Sequence, residues 1–373
     1  MIKVMQISSD TNIGGAGKCI LTYLKNDDKG RFENILVLPK GSKLKEEAEK
    51  IGVRIIEFDG SRDKSLEFSA IAKFKKLFLA EKPDIVHSHA NMSARIGAKM
   101  AKVPKVVYTR HSFFEPSPRL TRGIGKAVNG FVNNHFADRI IAVAEAAKQN
   151  LTDTGVDPDK IEVVLNGVKA VDKLGENEKD DFRSRFDIGK EDFVVSIIAR
   201  LVDIKGQDEF IRCAALVRQK HPNVKFVIAG TGPEEEAYKH LADEMELKDT
   251  VIFTGFLEDV TPLLNCTSLL ANCSYGTEAT SLSLLEGMSL GIPCVVTDYG
   301  GNRGVCHDGV NGFVVPVHDF SAMAEKINQI IADKELYQTL CENSLHLYQE
   351  AFTEEIMSKN IEKIYMEGFA NEN

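Results

Sequence analysis

Residues 274–302 read S-Y-G-T-E-A-T-S-L-S-L-L-E-G-M-S-L-G-I-P-C-V-V-T-D-Y-G-G-N. Seven residues separate two carboxylates, Glu278 and Glu286, and between them lies a polar turn, Thr280 and Ser281, suited to start a helix. An apolar run, Leu269 to Ala271, precedes the stretch, and another, Ile292 to Val296, lies within it. The pattern predicts strand, loop with one acid, helix with the second acid, then strand. In a doubly wound fold such a unit sets both acids beside the carboxyl edge of a parallel sheet, where ligands bind.

The rest of the chain repeats that alternation. The first half predicts strands at 3–7, 34–38, 53–58, 84–87, 106–109, 139–143 and 161–165. Helices are predicted at 18–24, 44–51, 66–79 and 93–102, the third with Ile71, Phe74 and Phe78 on one face. A polar stretch at 168–191 reads as a linker with a short helix. The second half predicts strands at 193–199, 224–229, 251–254 and 313–314, with helices at 207–219, 234–245, 321–333 and across 335–369. Strands alternating with helices predict an α/β chain of two doubly wound domains. With 373 residues and 43% apolar content, the chain has enough material for two cores.

Composition narrows the function. The N-terminus, M-I-K-V-M-Q-I, reads as a strand and not as a secretory signal, and no apolar run approaches a membrane span. The seven cysteines show neither a C-x-x-C pair nor zinc spacing, so they read as buried reduced thiols of a cytoplasmic protein. The net charge of −9 is split: residues 1–170 carry +8 and the remainder −17. The basic half suits an anionic partner, and the Lys73-Phe74-Lys75-Lys76 cluster suits a membrane surface as well as a solvated helix face.

Several motifs fail on inspection. Gly14-Gly15-Ala16-Gly17-Lys18 lacks the earlier glycine and the Ser/Thr of a P-loop, because Asn12 and Cys19 stand there. Gly230-Thr231-Gly232 lacks the third glycine of a dinucleotide fingerprint. Asp157-Pro158-Asp159 reads as a turn, and His87, His89 and His111 lack a carboxylate at ligand spacing, so no metal is expected. The positive signals lie at strand ends. Arg200 and Lys205 close one strand and suit a pyrophosphate, one as a chelating fork and one as a point charge. A helix start at Thr280-Ser281 offers backbone N–H groups to another phosphate oxygen. Gly14 and Gly15 allow close backbone approach to an anion.

These pieces, taken together, resemble the retaining GT-B glycosyltransferases of family 4 (glycosyl transferases group 1). The resemblance rests on Gly14-Gly15, K-P-D-I-V-H-S-H (82–89), V-V-Y-T-R-H (106–111), A-D-R-I-I-A-V-A-E (137–145) and V-V-L-N-G-V (163–168). It continues with A-R-L-V-D-I-K-G (199–206), A-G-T-G-P (229–233), F-T-G-F (253–256), the spaced glutamates, D-Y-G-G-N (298–302) and D-G-V-N-G-F (308–313). It implies a GT-B architecture, two Rossmann-like domains facing across a cleft. Residues 1–167 would form the acceptor-side domain and 168–351 the nucleotide-sugar domain, with a C-terminal helix at about 352–373 packing back on the first.

The resemblance also assigns roles. Arg200 and Lys205 would bind the donor diphosphate, Glu286 the ribose, and Glu278 the transferred sugar. Backbone amides from Thr280 through Ser281 to Leu282 would hold sugar and phosphate, His111 would face the reacting carbon, and Thr254 to Phe256 would lie near the base. The chain departs from the family at Ala279-Thr280-Ser281, where Gly and an aromatic-Pro pair are common, and at Gly17, where Glu is common.

The implied activity is retaining, metal-independent transfer of a hexose-type sugar from a nucleoside-diphosphate sugar, UDP-sugar favoured. The acceptor would be a glycan or glycolipid in cell-surface polysaccharide synthesis, with no cofactor and no nucleic-acid partner. Peripheral contact with the inner membrane face through the basic half is a further expectation. Two alternatives stand beside it: a nucleotide-sugar epimerase of the same architecture and an inactive sugar-nucleotide-binding protein.

Overall fold

The structure is a computed structural model that describes residues 1–60, 63–113 and 115–369. The last residues of the expected C-terminal helix, 370–373, lie outside the described residues. The chain divides into two compact units, 1–168 with 353–373, and 169–352.

In the first unit the described strands are β1 (Ile2–Ser8), β2 (Phe32–Pro39), β3 (Arg54–Phe58), β4 (Ile85–His89), β5 (Lys105–Arg110), β6 (Arg139–Ala142) and β7 (Ile161–Val163). They form one parallel sheet in the order β3-β2-β1-β4-β5-β6-β7. Successive side chains of a strand point to opposite faces, and here both faces are covered, so the central strands are largely apolar, with buried polar groups at Gln6, Asn34, His87 and His89. Val4, Leu36, Ile85 and Val107 face Ile20, Leu24, Ile361 and Tyr365 on one side. Met5, Ile7, Ile35 and Val86 face Phe74, Phe78 and Ala94 on the other.

The second unit holds β8 (Phe193–Ile198), β9 (Val224–Ala229), β10 (Val251–Gly255), β11 (Leu269–Asn272), β12 (Cys294–Thr297) and β13 (Gly312–Val315). Their parallel order is β10-β9-β8-β11-β12-β13. Helices Gln207–Arg218 and Phe320–Ala332 pack one face through Phe210, Ile211, Met323 and Ile327.

Both strand orders reverse once, beside β1 in the first sheet and beside β8 in the second. At such a point the two neighbouring connections leave in opposite directions and open a crevice at the carboxyl ends of the central strands. The fold therefore directs attention to the ends of β1 and β4 in one unit and of β8 and β11 in the other.

Two expectations change. The helical run at 335–369 is two helices, Lys334–Ala351 and Glu354–Met366. The break falls at Thr353, whose Oγ1 accepts from the Ile356 N–H at 3.3 Å and starts the second helix. That helix lies on the first unit, where Tyr365 meets Tyr23 and Phe32 edge-on. The helix Gly123–His135 was not expected at all. Its glycines depress helix propensity, but a Cβ on Gly130 would lie 2.1 Å from the Gly155 carbonyl oxygen. Glycine is what lets this helix pack against the 155 loop.

Candidate active site

In the second unit the chain leaves β8 at Ile198 and turns through Ala199, Arg200 and Leu201. The Gly230-Thr231-Gly232 stretch supports that turn. Leu201 donates its N–H to the Thr231 carbonyl at 3.0 Å, and a Cβ on Gly232 would lie 2.0 Å from the Leu201 carbonyl oxygen. These glycines allow close backbone packing next to Arg200. Gln207, buried, donates Nε2–H to the Arg200 carbonyl at 3.1 Å. The Arg200 side chain is exposed and has no hydrogen bond or ion pair to another described residue.

Lys205 follows in a short 3₁₀ turn, Asp203–Lys205, which ends on Gly206 at φ +68°. A Cβ there would also lie 2.4 Å from the Cys273 carbonyl oxygen. This contact brings the β8 loop against the β11 loop and sets Lys205 beside Glu278. Lys205 Nζ donates to Glu278 Oε2 at 2.8 Å and to the Thr277 carbonyl at 3.1 Å. Asn272 Nδ2 and Ser274 Oγ donate to the same carboxylate oxygen at 3.1 Å and 3.0 Å. All three side-chain donors converge on Oε2, and Glu278 is largely buried. Its backbone is held as well, because Gly301 donates N–H to the Glu278 carbonyl at 3.0 Å.

The helix after the loop spans Leu282–Met288, with Ser281 at its N-cap position. The helix thus begins at the expected Thr280-Ser281 turn, but without the side-chain cap that such a turn can supply. Ser281 makes no side-chain cap bond; its Oγ meets Ser283 Oγ at 3.1 Å, and Ser283 Oγ donates to the Ile198 carbonyl at 3.2 Å. The helix start is thus tied to the end of β8 and not to its own cap. Thr280, Ser281, Leu282 and Glu286 are all half-buried along this segment. Phe256, just past β10, is 74% exposed.

In the first unit, Gly14 is the N-cap of the helix Gly15–Asn26, and open space surrounds the position of its missing Cβ. Gly17 is a packing residue, since a Cβ there would lie 2.8 Å from Leu44 Cδ2. At the strand ends three imidazoles stack side by side, with ring centroids 4.3 Å apart for His87–His89 and 5.0 Å for His89–His111. Burial pushes the His87 ring down to about 3 and the His111 ring to about 4, so both are neutral near pH 7. Among the described residues no group of three or more His, Cys, Asp or Glu is arranged to hold a metal.

Two family models match the chain: glycosyltransferase family 4 over residues 13–170 and glycosyl transferases group 1 over residues 178–346. Solved structures match its whole length. The Anabaena HepE complex with UDP has a TM-score of 0.84 at 22% identity, covering 98% of this chain and 100% of that one. The HepE complex with UDP-glucose has a TM-score of 0.81 at 21% identity, with the same coverage. The chain is a GT-B glycosyltransferase. Among curated proteins it is 27% identical to the UDP-Gal:alpha-D-GlcNAc-diphosphoundecaprenol alpha-1,3-galactosyltransferase of Escherichia coli, over 72% of each chain.

In this GT-B glycosyltransferase the structure brings two of the expected site residues together, Lys205 and Glu278, and adds residues the sequence did not mark, the ones that hold Arg200 and Glu278 in place. Asn272, Ser274 and Gln207 are such supports. The signal was present, since Asn272 and Ser274 end an apolar strand where a polar side chain must find a partner. The direct pairing of Lys205 with Glu278 was also unforeseen, because spacing along the chain says nothing about contact between two loops.

Proposed function

We propose that this chain transfers a hexose-type sugar, with retention of anomeric configuration, from a UDP-sugar to a glycan or lipid-linked glycan acceptor in cell-surface polysaccharide synthesis. The observation that carries this reading is the cluster at the switch point of the second sheet. An exposed guanidinium, Arg200, lies on the same loop after β8 as Lys205, whose ammonium pairs with the Glu278 carboxylate. As the bond from the anomeric carbon to phosphate breaks, negative charge collects on the departing diphosphate. Arg200 and Lys205 are preorganised positive charges for it, which is why the transfer is read as metal-independent. Glu278 would face the sugar and support the positive charge that develops at the anomeric carbon. The acceptor hydroxyl would attack from the leaving-group face and pass its proton to a phosphate oxygen.

Glu286, one helical turn or more beyond the loop, would hold the ribose, and amides at Thr280, Ser281 and Leu282 would hold phosphate and sugar. Phe256 would lie by the base, where an exposed ring can stack. Within the first unit, Gly14 and Gly15 would present close backbone to an anionic group, and His111 would meet substrate. The UDP and UDP-glucose complexes of HepE and the UDP-Gal specificity in the name of the E. coli relative support a uridine donor. The E. coli relative is named as a galactosyltransferase, which disfavours the epimerase alternative. A thermal-shift screen of UDP-, GDP- and ADP-sugars tests the donor, because a bound ligand raises stability by mass action. Stabilisation by UDP-sugars alone is expected; stabilisation by none of them would remove the reading.

A lipid-linked acceptor needs a membrane contact, and we place it on the helix Gly123–His135, in a cytoplasmic protein resting on the inner leaflet. Ile124, Val128 and Phe131 are exposed at helical spacing, Ile124 at 84% and Phe131 at 67%, and Leu120 on the short helix Pro118–Thr121 just before is exposed as well. Arg119, Arg122 and Lys126 flank them, and residues 116–137 contain no acid. An apolar stripe rimmed by cations fits an anionic bilayer surface. The Lys73–Lys76 cluster fits less well, because Phe74 is buried and stacks on Phe58 and Phe78. No helix among the described residues is long and apolar enough to cross a membrane.

A further inference from the structure

His111 Nδ1 is screened from solvent and has no hydrogen-bond partner among the described residues. A buried orphan of this kind calls for an explanation. Behind it runs a chain of hydrogen bonds that begins at a group able only to accept.

That group is Asp27. Its Oδ1 pairs with the Lys29 ammonium, so the carboxylate can only accept. Asp27 Oδ2 lies 2.7 Å from the Asn34 amide, which must therefore turn its NH₂ toward Asp27 and its Oδ1 away. Asn34 Oδ1 lies 3.1 Å from the Gln6 amide, so Gln6 must present NH₂ there. The same NH₂ also donates to the Tyr365 hydroxyl at 2.9 Å. Gln6 Oε1 is left facing His89 Nε2 at 3.0 Å, and that nitrogen must carry the proton. A neutral His89 then has a bare Nδ1, 2.8 Å from His111 Nε2, so His111 must donate from Nε2. Neutral His111 has a single ring proton, and it is now assigned. Its Nδ1 is a lone pair.

Neutrality is the one condition, and burial supplies it: the His89 ring is held well below its ordinary range and the His111 ring at about 4. Asp27, Asn34, Gln6 and His89 are themselves buried, so water does not compete for their bonds.

We propose that the Asp27–Asn34–Gln6–His89 chain fixes His111 in its Nε2–H tautomer, keeping Nδ1 as a hydrogen-bond acceptor for a substrate hydroxyl. The hydroxyl rests on the sugar-transfer reading; the tautomer does not. The four residues are positioning residues, acting on substrate only through His111. Ring orientation is set by packing, but which nitrogen holds the proton is set by the amide directions upstream.

The test is a long-range ¹H–¹⁵N correlation spectrum of the full chain labelled at histidine, near pH 7.5 without donor. The His111 signals are assigned by their loss in His111→Gln. The expected spectrum shows Nε2 as protonated and Nδ1 as unprotonated. Asp27→Asn, which is isosteric, removes the obligatory acceptor, lets both amides turn, and should give a second population protonated at Nδ1. Asp27→Asn combined with Asn34→Asp moves the carboxylate next to Gln6, which must again present NH₂; the single tautomer should return. A proton on Nδ1 in the unmodified chain would overturn the proposal, and that arm needs no variant to fold. An unchanged tautomer in folded Asp27→Asn would also overturn it. A fixed Nε2–H tautomer in a chain that binds no nucleotide sugar would refute the functional reading and leave the relay standing.

Discussion

Lys205 Nζ lies 2.8 Å from Glu278 Oε2, and the two residues come from different loops at the carboxyl edge of one sheet. The side chains are 20% and 9% exposed, so the pair is largely withdrawn from water. Removing one partner of such a pair strands the other. Lys205→Ala should therefore destabilise the second unit by roughly 1–3 kcal/mol, less than a fully buried pair because Asn272 and Ser274 still donate to the carboxylate. Urea unfolding checks this, and Glu278→Gln should cost less because the amide keeps its packing. UDP affinity should also fall in Lys205→Ala, as titration calorimetry would record.

Arg200 should behave in the opposite way. Its exposed side chain has no described partner, so Arg200→Ala should change stability by less than about 0.5 kcal/mol. Loss of a charge-assisted contact to a diphosphate should weaken UDP binding by roughly 1.5–3 kcal/mol, about ten- to a hundredfold. Equal UDP affinity in wild type and Arg200→Ala would remove it from the donor site.

Gly206 joins the two loops. Ala at φ +68° is strained, and its Cβ would meet the Cys273 carbonyl oxygen at 2.4 Å. Gly206→Ala should cost on the order of 1–3 kcal/mol and displace Lys205, lowering both the melting temperature and transfer. Gly14→Ala, where a Cβ meets open space, is the matched control for stability.

The architecture was legible because alternating apolar runs leave few topologies for a chain of parallel strands. Arg200, Lys205 and Glu278 stood out as candidates because each is a charged residue in the loop that follows such a run, Arg200 next to its end and the other two a few residues on. What the pattern did not carry was contact between loops: the Lys205–Glu278 pair, the support from Asn272 and Ser274, and the glycines that let backbones touch. The helix Gly123–His135 was missed for a related reason. Its glycines depress propensity and answer to a tertiary contact, and the helical spacing of Ile124, Val128 and Phe131 was the one signal that could have marked it.

The imidazole cluster predicts an acid-sensitive first unit. The unfolded rings would titrate near 6.5, whereas His87 and His111 are held at about 3 and about 4 when folded. The folded state therefore binds fewer protons in that interval. Their contribution is fully present above the unfolded value and is lost as pH falls toward the folded values. Each such ring should steepen the loss by at most about 1.4 kcal/mol per pH unit. Melting temperatures from pH 7.5 to 4.5 check this, and His87→Gln should flatten the slope.

The exposed stripe predicts lipid dependence. Co-sedimentation should be strong with vesicles containing anionic lipid and weak with neutral ones. Replacing Ile124 and Phe131 with Ser should abolish it without lowering the melting temperature, since both side chains already face solvent. Binding that ignores lipid charge, or survives the double substitution, would move the contact elsewhere.

The central claim is retaining transfer through the Arg200, Lys205 and Glu278 cluster, and its most direct test is the anomeric configuration of the first product. An α-linked UDP-sugar is mixed with the enzyme and acceptor, and the anomeric proton is followed by NMR from the earliest turnover. The account predicts an α-linked product in wild type and its loss in Glu278→Ala. A β-linked first product, or unchanged transfer by Glu278→Ala, would contradict it.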